Sequence, residues 1–194
     1  RRWREWKNLV QRDPHLTFFV GKANVGTLLG RLRRENALFE SVLEATIQRG
    51  VSPDVAAAHV VSIHEAKVAK LEEELLRHSI SGVQIKRYQE WKSDQFIIYA
   101  TRSTPINEFP NISKHLAKFK HLNSCKEVIQ GKHPWWALHR PRDPQIFTSP
   151  KFIGLTTSKR IELTYDPDAS VYVTDAMYVF KLLPEHNPWA CMAI

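Results

Sequence analysis

Three charged residues have the types and the order that magnesium-dependent nucleases use. Asp54 follows Pro53, and after a spacing of ten residues come Glu65 and Lys67, as in the short pattern PD…ExK. In such a site the acids hold the metal ion and the lysine steadies the attacking water. This chemistry needs Glu65 and Lys67 on one strand, whereas the sequence around them predicts a charged helix, on which residues two apart do not share a face. A nuclease therefore stays an alternative hypothesis, as does a protein-interaction module.

The other groups with potential chemistry have no partners at a recognisable spacing. His59 and His64 lie five residues apart, and no third ligand follows at a spacing typical of zinc sites. Cys125 is not accompanied by the histidine and asparagine pattern of a cysteine nucleophile. The sequence has no glycine-rich phosphate loop and no cofactor-binding glycine motif, and the Asn-Pro-Trp-Ala run at 187–190 departs from the NPPY motif of amino-methyltransferases. We therefore predict no catalytic residue, no metal site and no cofactor in this chain.

Positive charge is concentrated in one part of the chain. The 194 residues include 28 Lys and Arg against 20 Asp and Glu, a net charge of +8. Residues 77–160 contain 15 basic and 5 acidic residues, so this block alone has a net charge of +10. A positive field over one surface favours nucleic acid as the partner, with a merely solvated basic surface as the alternative.

Composition bounds the class of protein. With 43% apolar and 25% charged residues the chain is globular, and no apolar run has the length of a membrane span. Two cysteines and an N-terminus without an apolar signal segment predict a cytoplasmic protein without a disulfide framework. The chain begins at Arg1 and ends on apolar residues, so we expect a fragment of a longer protein.

The spacing of apolar residues predicts helices mostly early in the chain and short strands mostly late. Helices are predicted over residues 3–12, 28–44, 65–78 and 112–122. Strands are predicted over 16–20, 46–51, 56–63, 83–85, 96–99, 151–155, 160–165, 171–173 and 177–183. Because strands and helices do not alternate regularly, the expected class is α+β, with a mixed, mostly short-stranded sheet and flanking helices. We expect residues 1–43 to form an N-terminal support segment of helices and a strand, and residues 44–194 to form a separate domain.

A series of short motifs occurs along the domain expected over residues 44–194. They lie at residues 47–51, 57–61, 81–88, 96–99, 110–112, 135–142, 150–153 and 172–175. In this order the chain resembles the TaqI-like C-terminal specificity domain, the target-recognition region of adenine-N6 DNA methyltransferases and of fused type II restriction-modification enzymes. The resemblance covers roughly residues 44–183. The run Ser52-Pro53-Asp54 departs from the family, in which a Thr-Gly pair is more usual at this point.

The resemblance implies a role for the domain and for its partners. It implies a mixed α+β domain that recognises double-stranded DNA and clamps it against a catalytic methyltransferase domain of the same chain. S-adenosylmethionine would bind to that catalytic domain, and the present chain would itself be non-catalytic. The parent protein would be a restriction-modification or phage-defence adenine-N6 methyltransferase.

Cationic residues at predicted strand ends and loops are suited to contact phosphates, and a few polar side chains are suited to read bases. Arg140 and Arg142 flank Pro141, and an arginine on a proline-stiffened loop can present its guanidinium to guanine O6 and N7. Gln84 could read adenine, and Trp136 could stack on a base. The predicted DNA-binding residues are Gln84, Lys86, Arg87, Arg102, Lys114, Lys118, Trp136, His139, Arg140, Arg142, Lys151, Lys159 and Arg160.

Overall fold

The computed structural model describes residues 39–86 and 90–188. The elements predicted over 3–12 and 16–20, most of the helix predicted over 28–44, and Arg87 lie outside the described residues. The chain divides into two compact units, 1–43 and 44–194. In the first unit the described part contains the 3-10 helix Phe39–Val42. The remaining elements belong to the second unit.

The described part of the second unit combines short helices with short strands, which confirms the predicted α+β class. Its α-helices are α1 (Ala56–His59), α2 (Ile63–Val68), α3 (Pro110–Ala117) and α4 (Lys126–Ile129). Its strands are β1 (Gln48–Arg49), β2 (Val60–Ser62), β3 (Leu76–Ser79), β4 (Gln95–Ile98), β5 (Lys151–Leu155), β6 (Leu163–Asp166) and β7 (Met177–Phe180). Short 3-10 helices occur at Glu73–Leu75, Gly82–Gln84, Ile106–Glu108, Lys120–Leu122 and Pro144–Ile146.

The first sheet is antiparallel with the strand order β1-β7-β5-β6. Phe152 of β5 lies opposite Phe180 and Tyr165, and the Phe152 and Phe180 rings stack with centroids 5.1 Å apart. Neighbouring side chains in a strand point to opposite faces, so Ile153 and its cross-strand partner Val179 enter the other face. Both belong to the first hydrophobic core, which explains why this strand is apolar on both sides.

Gly50 allows the chain after β1 to approach another backbone segment closely. A Cβ atom at this position would lie 2.2 Å from the carbonyl oxygen of Val173 and 2.4 Å from that of Thr174. The next residue, Val51, donates its amide to the same Val173 carbonyl at 2.9 Å. Glycine is therefore the residue that fits where residues 50–52 run parallel to and in close contact with the backbone at 173–174.

The second sheet is also antiparallel, with the strand order β2-β4-β3. Val61 of β2 and Ile98 of β4 are buried in the second hydrophobic core. Helix α3 contributes Ile112 and Leu116 to the same core, with Lys114 on its exposed side, as its amphipathic sequence predicts. Helix α2 begins with a capping box, in which the Ser62 hydroxyl accepts a hydrogen bond from the Glu65 amide.

Two predicted elements around residues 56–78 differ from the structure. The strand predicted over 56–63 begins as helix α1 and becomes a strand only at Val60. The helix predicted over 65–78 ends at Val68, two residues before Lys70, which has a left-handed φ of 50°. The chain then forms β3, which pairs with β4. None of the helices in residues 39–86 and 90–188 has both the length and the apolarity of a membrane span.

Candidate functional site

Residues 139–142, which we call the basic loop, are attached to the turn after β1 through the backbone. The Arg140 amide donates to the Ser52 carbonyl at 3.1 Å, and the Ser52 amide donates to the Arg140 carbonyl at 2.9 Å. The Ser52 hydroxyl in turn donates to Asp175 Oδ2 at 2.6 Å. The Arg140 side chain is exposed. The structure therefore presents this guanidinium to solvent from a backbone that is fixed on both sides.

Arg142 has a structural role in the same loop. Its φ of 62° lies in the left-handed region, which a non-glycine residue adopts only when its surroundings hold it there. The Tyr99 hydroxyl donates to the Arg142 carbonyl at 3.0 Å, and the Arg142 Nε donates to the Gly50 carbonyl at 3.2 Å. Burial raises the pKa of Tyr99 to about 12, so the phenol keeps the proton that it donates. The Nε–H group of Arg142, a residue predicted to read bases, is therefore already used in a hydrogen bond within the protein.

The His139 side chain points toward acidic and thiol groups. Its Nδ1 lies 3.5 Å from Asp54 Oδ1 and 3.8 Å from Cys125 Sγ. The His139 side chain is 27% exposed and that of Asp54 only 12%. Its neighbour His133 is buried, and the two imidazole rings have centroids 5.8 Å apart. His139 is therefore half-buried at the base of the basic loop, where the predicted contact with DNA is less accessible than at Arg140.

Lys151 does not lie where the sequence analysis expects it. Its side chain is completely buried, and its Nζ donates to the Phe147 carbonyl at 2.8 Å and to the Asp166 carboxylate. Burial lowers the pKa of Lys151, and hydrogen bonding to Asp166 opposes that effect. The prediction that Lys151 contacts a phosphate is therefore wrong, because an ammonium group sealed inside the fold cannot reach a ligand.

Trp136 is half-buried against the second hydrophobic core. Its ring meets that of Trp135 edge to face, with centroids 5.7 Å apart, and its carbonyl lies 3.1 Å from His59 Nε2. The Lys120 ammonium lies over the Trp135 ring, 5.4 Å from the centroid. Both indoles thus contribute to packing, and stacking of Trp136 on a base stays a prediction.

The remaining predicted cations differ in what surrounds them. Arg102 is exposed, but its Nε donates to His133 Nδ1 at 2.9 Å and its guanidinium pairs with Glu127 at 3.3 Å. Gln84 is half-buried in a 3-10 turn. The other predicted cations within the described ranges are exposed, and none forms an ion pair there. These are Lys86, Lys114, Lys118, Lys159 and Arg160.

The two acidic residues of the nuclease hypothesis, Asp54 and Glu65, make contacts unrelated to a nuclease site. Glu65 and Lys67 lie on the helix α2 and not on a strand. The Glu65 carboxylate accepts from the Ser62 amide at 2.8 Å and from the Ser62 hydroxyl at 2.7 Å, and these hydrogen bonds lower the pKa of Glu65. Asp54 instead faces His139. The strand geometry that a nuclease site of this type requires is absent at Glu65 and Lys67.

The cluster at the base of the basic loop was not predicted from the sequence. Asp54, His133 and His139 each place one ligating atom within 4.8 Å of those of the other two. Cys125, His133 and His139 fall within fifteen residues of one another, and this spacing was a weak signal for a shared site. Asp54 precedes them by 71 to 85 residues, so its participation depends on the tertiary fold.

The fold has a counterpart among solved structures. The Type IIL restriction-modification enzyme MmeI, solved in complex with DNA, matches 75% of this chain with a TM-score of 0.53 and 14% sequence identity. The match covers 20% of that enzyme's chain. At this identity the likeness shows a shared fold. No protein-family profile matches the sequence, and no curated protein matches it.

Proposed function

We propose that residues 44–194 form a sequence-specific recognition domain for double-stranded DNA, within a restriction-modification or phage-defence adenine-N6 methyltransferase. The observation that carries this proposal is the exposed Arg140 side chain on a loop whose backbone is fixed by Ser52 and, two residues later, by Tyr99. The fold shared with part of a restriction-modification enzyme that binds DNA supports it.

A fixed loop is what base reading by arginine requires. A guanidinium that donates two parallel hydrogen bonds to guanine O6 and N7 discriminates against other bases only if its position is defined. Hydrogen bonds to Ser52 and Tyr99 order the backbone before DNA arrives, so little conformational entropy remains to be lost on binding. Arg140 is therefore the proposed base reader, and Arg142 is the residue that shapes the loop.

The exposed lysines and arginine away from the loop are the proposed phosphate contacts. Long cationic side chains position a protein on the duplex without reading its sequence. Two of them are Lys114, on the exposed side of α3, and Lys118, directly after its last residue; the other side of this helix is anchored in the second core by Ile112 and Leu116. The others are Lys86, Lys159 and Arg160.

Catalysis would belong to another domain of the parent protein. The sequence contains no glycine-rich cofactor loop and no complete NPPY-type motif, so its residues do not fit S-adenosylmethionine. We propose that the methyltransferase domain binds this cofactor and that it is the intramolecular partner of the present domain. Target-base flipping would then be performed by that partner on DNA which this domain has positioned.

The test is a comparison of two exposed arginines. A bound sequence is first selected from a pool of random duplexes, and its affinity is then compared with that of a scrambled duplex by fluorescence anisotropy. We expect Arg140→Ala to reduce the preference for the selected sequence by about 1–3 kcal/mol. The matched variant Arg160→Ala should weaken both duplexes alike, since it removes a phosphate contact.

Two results would refute the proposal. One is the absence of any preferred sequence in the selected pool, together with no measurable binding at low salt. The other concerns the assignment of Arg140: if Arg140→Ala and Arg160→Ala changed the two affinities equally, Arg140 would not read bases.

A further inference from the structure

We infer that the cluster at the base of the basic loop is a binding site for a zinc-class divalent cation. Its proposed ligands are Asp54, His133 and His139, whose ligating atoms all lie within 4.8 Å of one another, with Cys125 as the fourth. The proposed function assigns no contact with DNA to these side chains, and the experiment below tests metal binding without DNA.

The Asp54 carboxylate is the first observation. Its side chain is 12% exposed, its Oδ1 faces His139, and its Oδ2 is buried without a hydrogen-bond partner in the described part of the chain. A buried carboxylate oxygen without a donor is costly, because it has lost its water without gaining a replacement. A cation bound at this carboxylate would supply the missing interaction.

The separations of the donor atoms are the second observation. Zinc bond lengths of about 2.0–2.3 Å in a tetrahedral site place donor atoms about 3.3–3.6 Å apart. His139 Nδ1 lies 3.5 Å from Asp54 Oδ1 and 3.8 Å from Cys125 Sγ. Each of these two donors therefore lies from His139 Nδ1 at nearly the distance that a shared metal ion would impose. The mutually close set is Asp54, His133 and His139, so the Cys125 side chain would have to turn toward the ion to bind it.

The chemistry of the donors selects the metal. A carboxylate, a thiolate and imidazole nitrogens suit zinc, whereas magnesium and calcium prefer oxygen alone. One carboxylate and one thiolate also balance the two charges of the cation, so the loaded site would be neutral. Neutrality matters here because the Arg102 guanidinium is close by, on His133.

His133 must change one contact to complete the site. Its Nδ1 accepts from Arg102 Nε at 2.9 Å, and its Nε2 lies 3.2 Å from the Ala137 carbonyl, so the ring is neutral with its proton on Nε2. The lone pair on Nδ1 is therefore held by Arg102. Arg102 also pairs with Glu127, which can retain it when the imidazole turns to a metal ion. A bound ion would link the turn at Asp54 to the segment 125–139 and further fix the basic loop.

The experiment uses the untagged chain, stripped with a chelator and then titrated with Co²⁺ as a spectroscopic substitute for Zn²⁺. We expect about one equivalent to bind, with a thiolate-to-cobalt charge-transfer band that Zn²⁺ abolishes. The chain has two cysteines, which provide a matched pair. The band should disappear in Cys125→Ser and persist in Cys191→Ser, and affinity should fall at least tenfold in His139→Gln but not in His121→Gln.

A second measurement keeps the inference testable if Cys125→Ser misfolds. Zn²⁺ should slow alkylation of Cys125 in the wild-type chain at least tenfold, as read by peptide mass spectrometry, while Cys191 serves as the internal reference. Equal alkylation rates with and without Zn²⁺ would overturn the inference. So would the absence of a cobalt band, or a band that survives in a folded Cys125→Ser variant.

Discussion

The buried pair of Lys151 and Asp166 shows how completely a charged site can be satisfied inside a small domain. Each oxygen of the Asp166 carboxylate accepts several hydrogen bonds, from the Ser170 amide and hydroxyl, the Val171 amide and the Lys151 ammonium. Lys151 donates in addition to the Phe147 carbonyl. Such a pair gives little net stability over an apolar replacement, but losing one partner leaves an uncompensated buried charge.

We therefore predict that Lys151→Met lowers the free energy of unfolding by about 3–5 kcal/mol. The methionine matches the length of the lysine stem, so the loss comes from the stranded Asp166 carboxylate. Urea unfolding followed by circular dichroism measures the change. Lys159→Met is the control, since this exposed lysine should shift stability by no more than about 0.5 kcal/mol. Equal stability of Lys151→Met and the wild type would contradict the buried pair.

Two histidines next to the second core are restricted by burial: His115 links α3 to α1, and His59 links α1 to the segment at Trp136. His115 Nε2 lies 3.1 Å from the Ala58 carbonyl, and His59 Nε2 lies 3.1 Å from the Trp136 carbonyl. Since a carbonyl only accepts, both rings donate as neutral imidazoles. Burial lowers the pKa of His59 and of His115 below the ordinary value, because the charged ring would lose its hydration.

These lowered pKa values predict a loss of stability in acid. The unfolded chain binds protons at the ordinary histidine pKa of about 6.5 while the native histidines do not, so the free energy of unfolding falls as the pH drops below that value. The slope from this pair cannot exceed about 2.7 kcal/mol per pH unit, the limit for two protons. Urea unfolding at a series of pH values measures it.

His115→Gln tests the assignment, because the glutamine amide can still donate to the Ala58 carbonyl but does not titrate. We expect a shallower acid slope in this variant. The exposed His121 provides the control, and His121→Gln should leave the slope unchanged. A stability that rises on acidification below the ordinary histidine pKa would show that the native rings carry protons.

Elements with a local pattern were predictable, and those that depend on distant pairing were not. The amphipathic α3 and the apolar β5 and β7 lie where their residue patterns predict them. The helix predicted over 65–78 had suitable apolar spacing, yet Val68 is 69% exposed and the segment after Lys70 turns into β3. Its partner β4 is about twenty residues further along, so local periodicity could not favour the strand.

In the candidate site, too, features set by the local sequence were predictable, and features that depend on distant contacts were not. The exposure of Arg140 on a short basic loop could be inferred from the residue types around Pro141. The burial of Lys151 could not, because its partner Asp166 lies on the neighbouring strand and reveals itself only in the sheet register. The cluster of Asp54 with His139 is formed by the backbone pairing of Ser52 with Arg140, another long-range contact.

At the scale of the whole molecule, the excess positive charge makes a quantitative prediction about DNA binding. Each phosphate that a cation neutralises on a duplex releases counterions, so log K falls with log salt with a slope of about −0.9 per contact. Five proposed phosphate contacts are exposed and form no ion pair within residues 39–86 and 90–188: Lys86, Lys114, Lys118, Lys159 and Arg160.

If between three and five of these cations contact phosphates, the slope should lie between about −3 and −4.5. Lys118→Ala should reduce its magnitude by about 1, because one contact is lost from every duplex irrespective of sequence. Lys151→Met should leave the slope unchanged under conditions in which it is folded, since its ammonium never faces solvent. Anisotropy titrations between about 50 and 200 mM salt distinguish these cases. A slope near zero in the wild type would mean that the cations of residues 77–160 do not act together on a duplex, and the recognition role would fail with them.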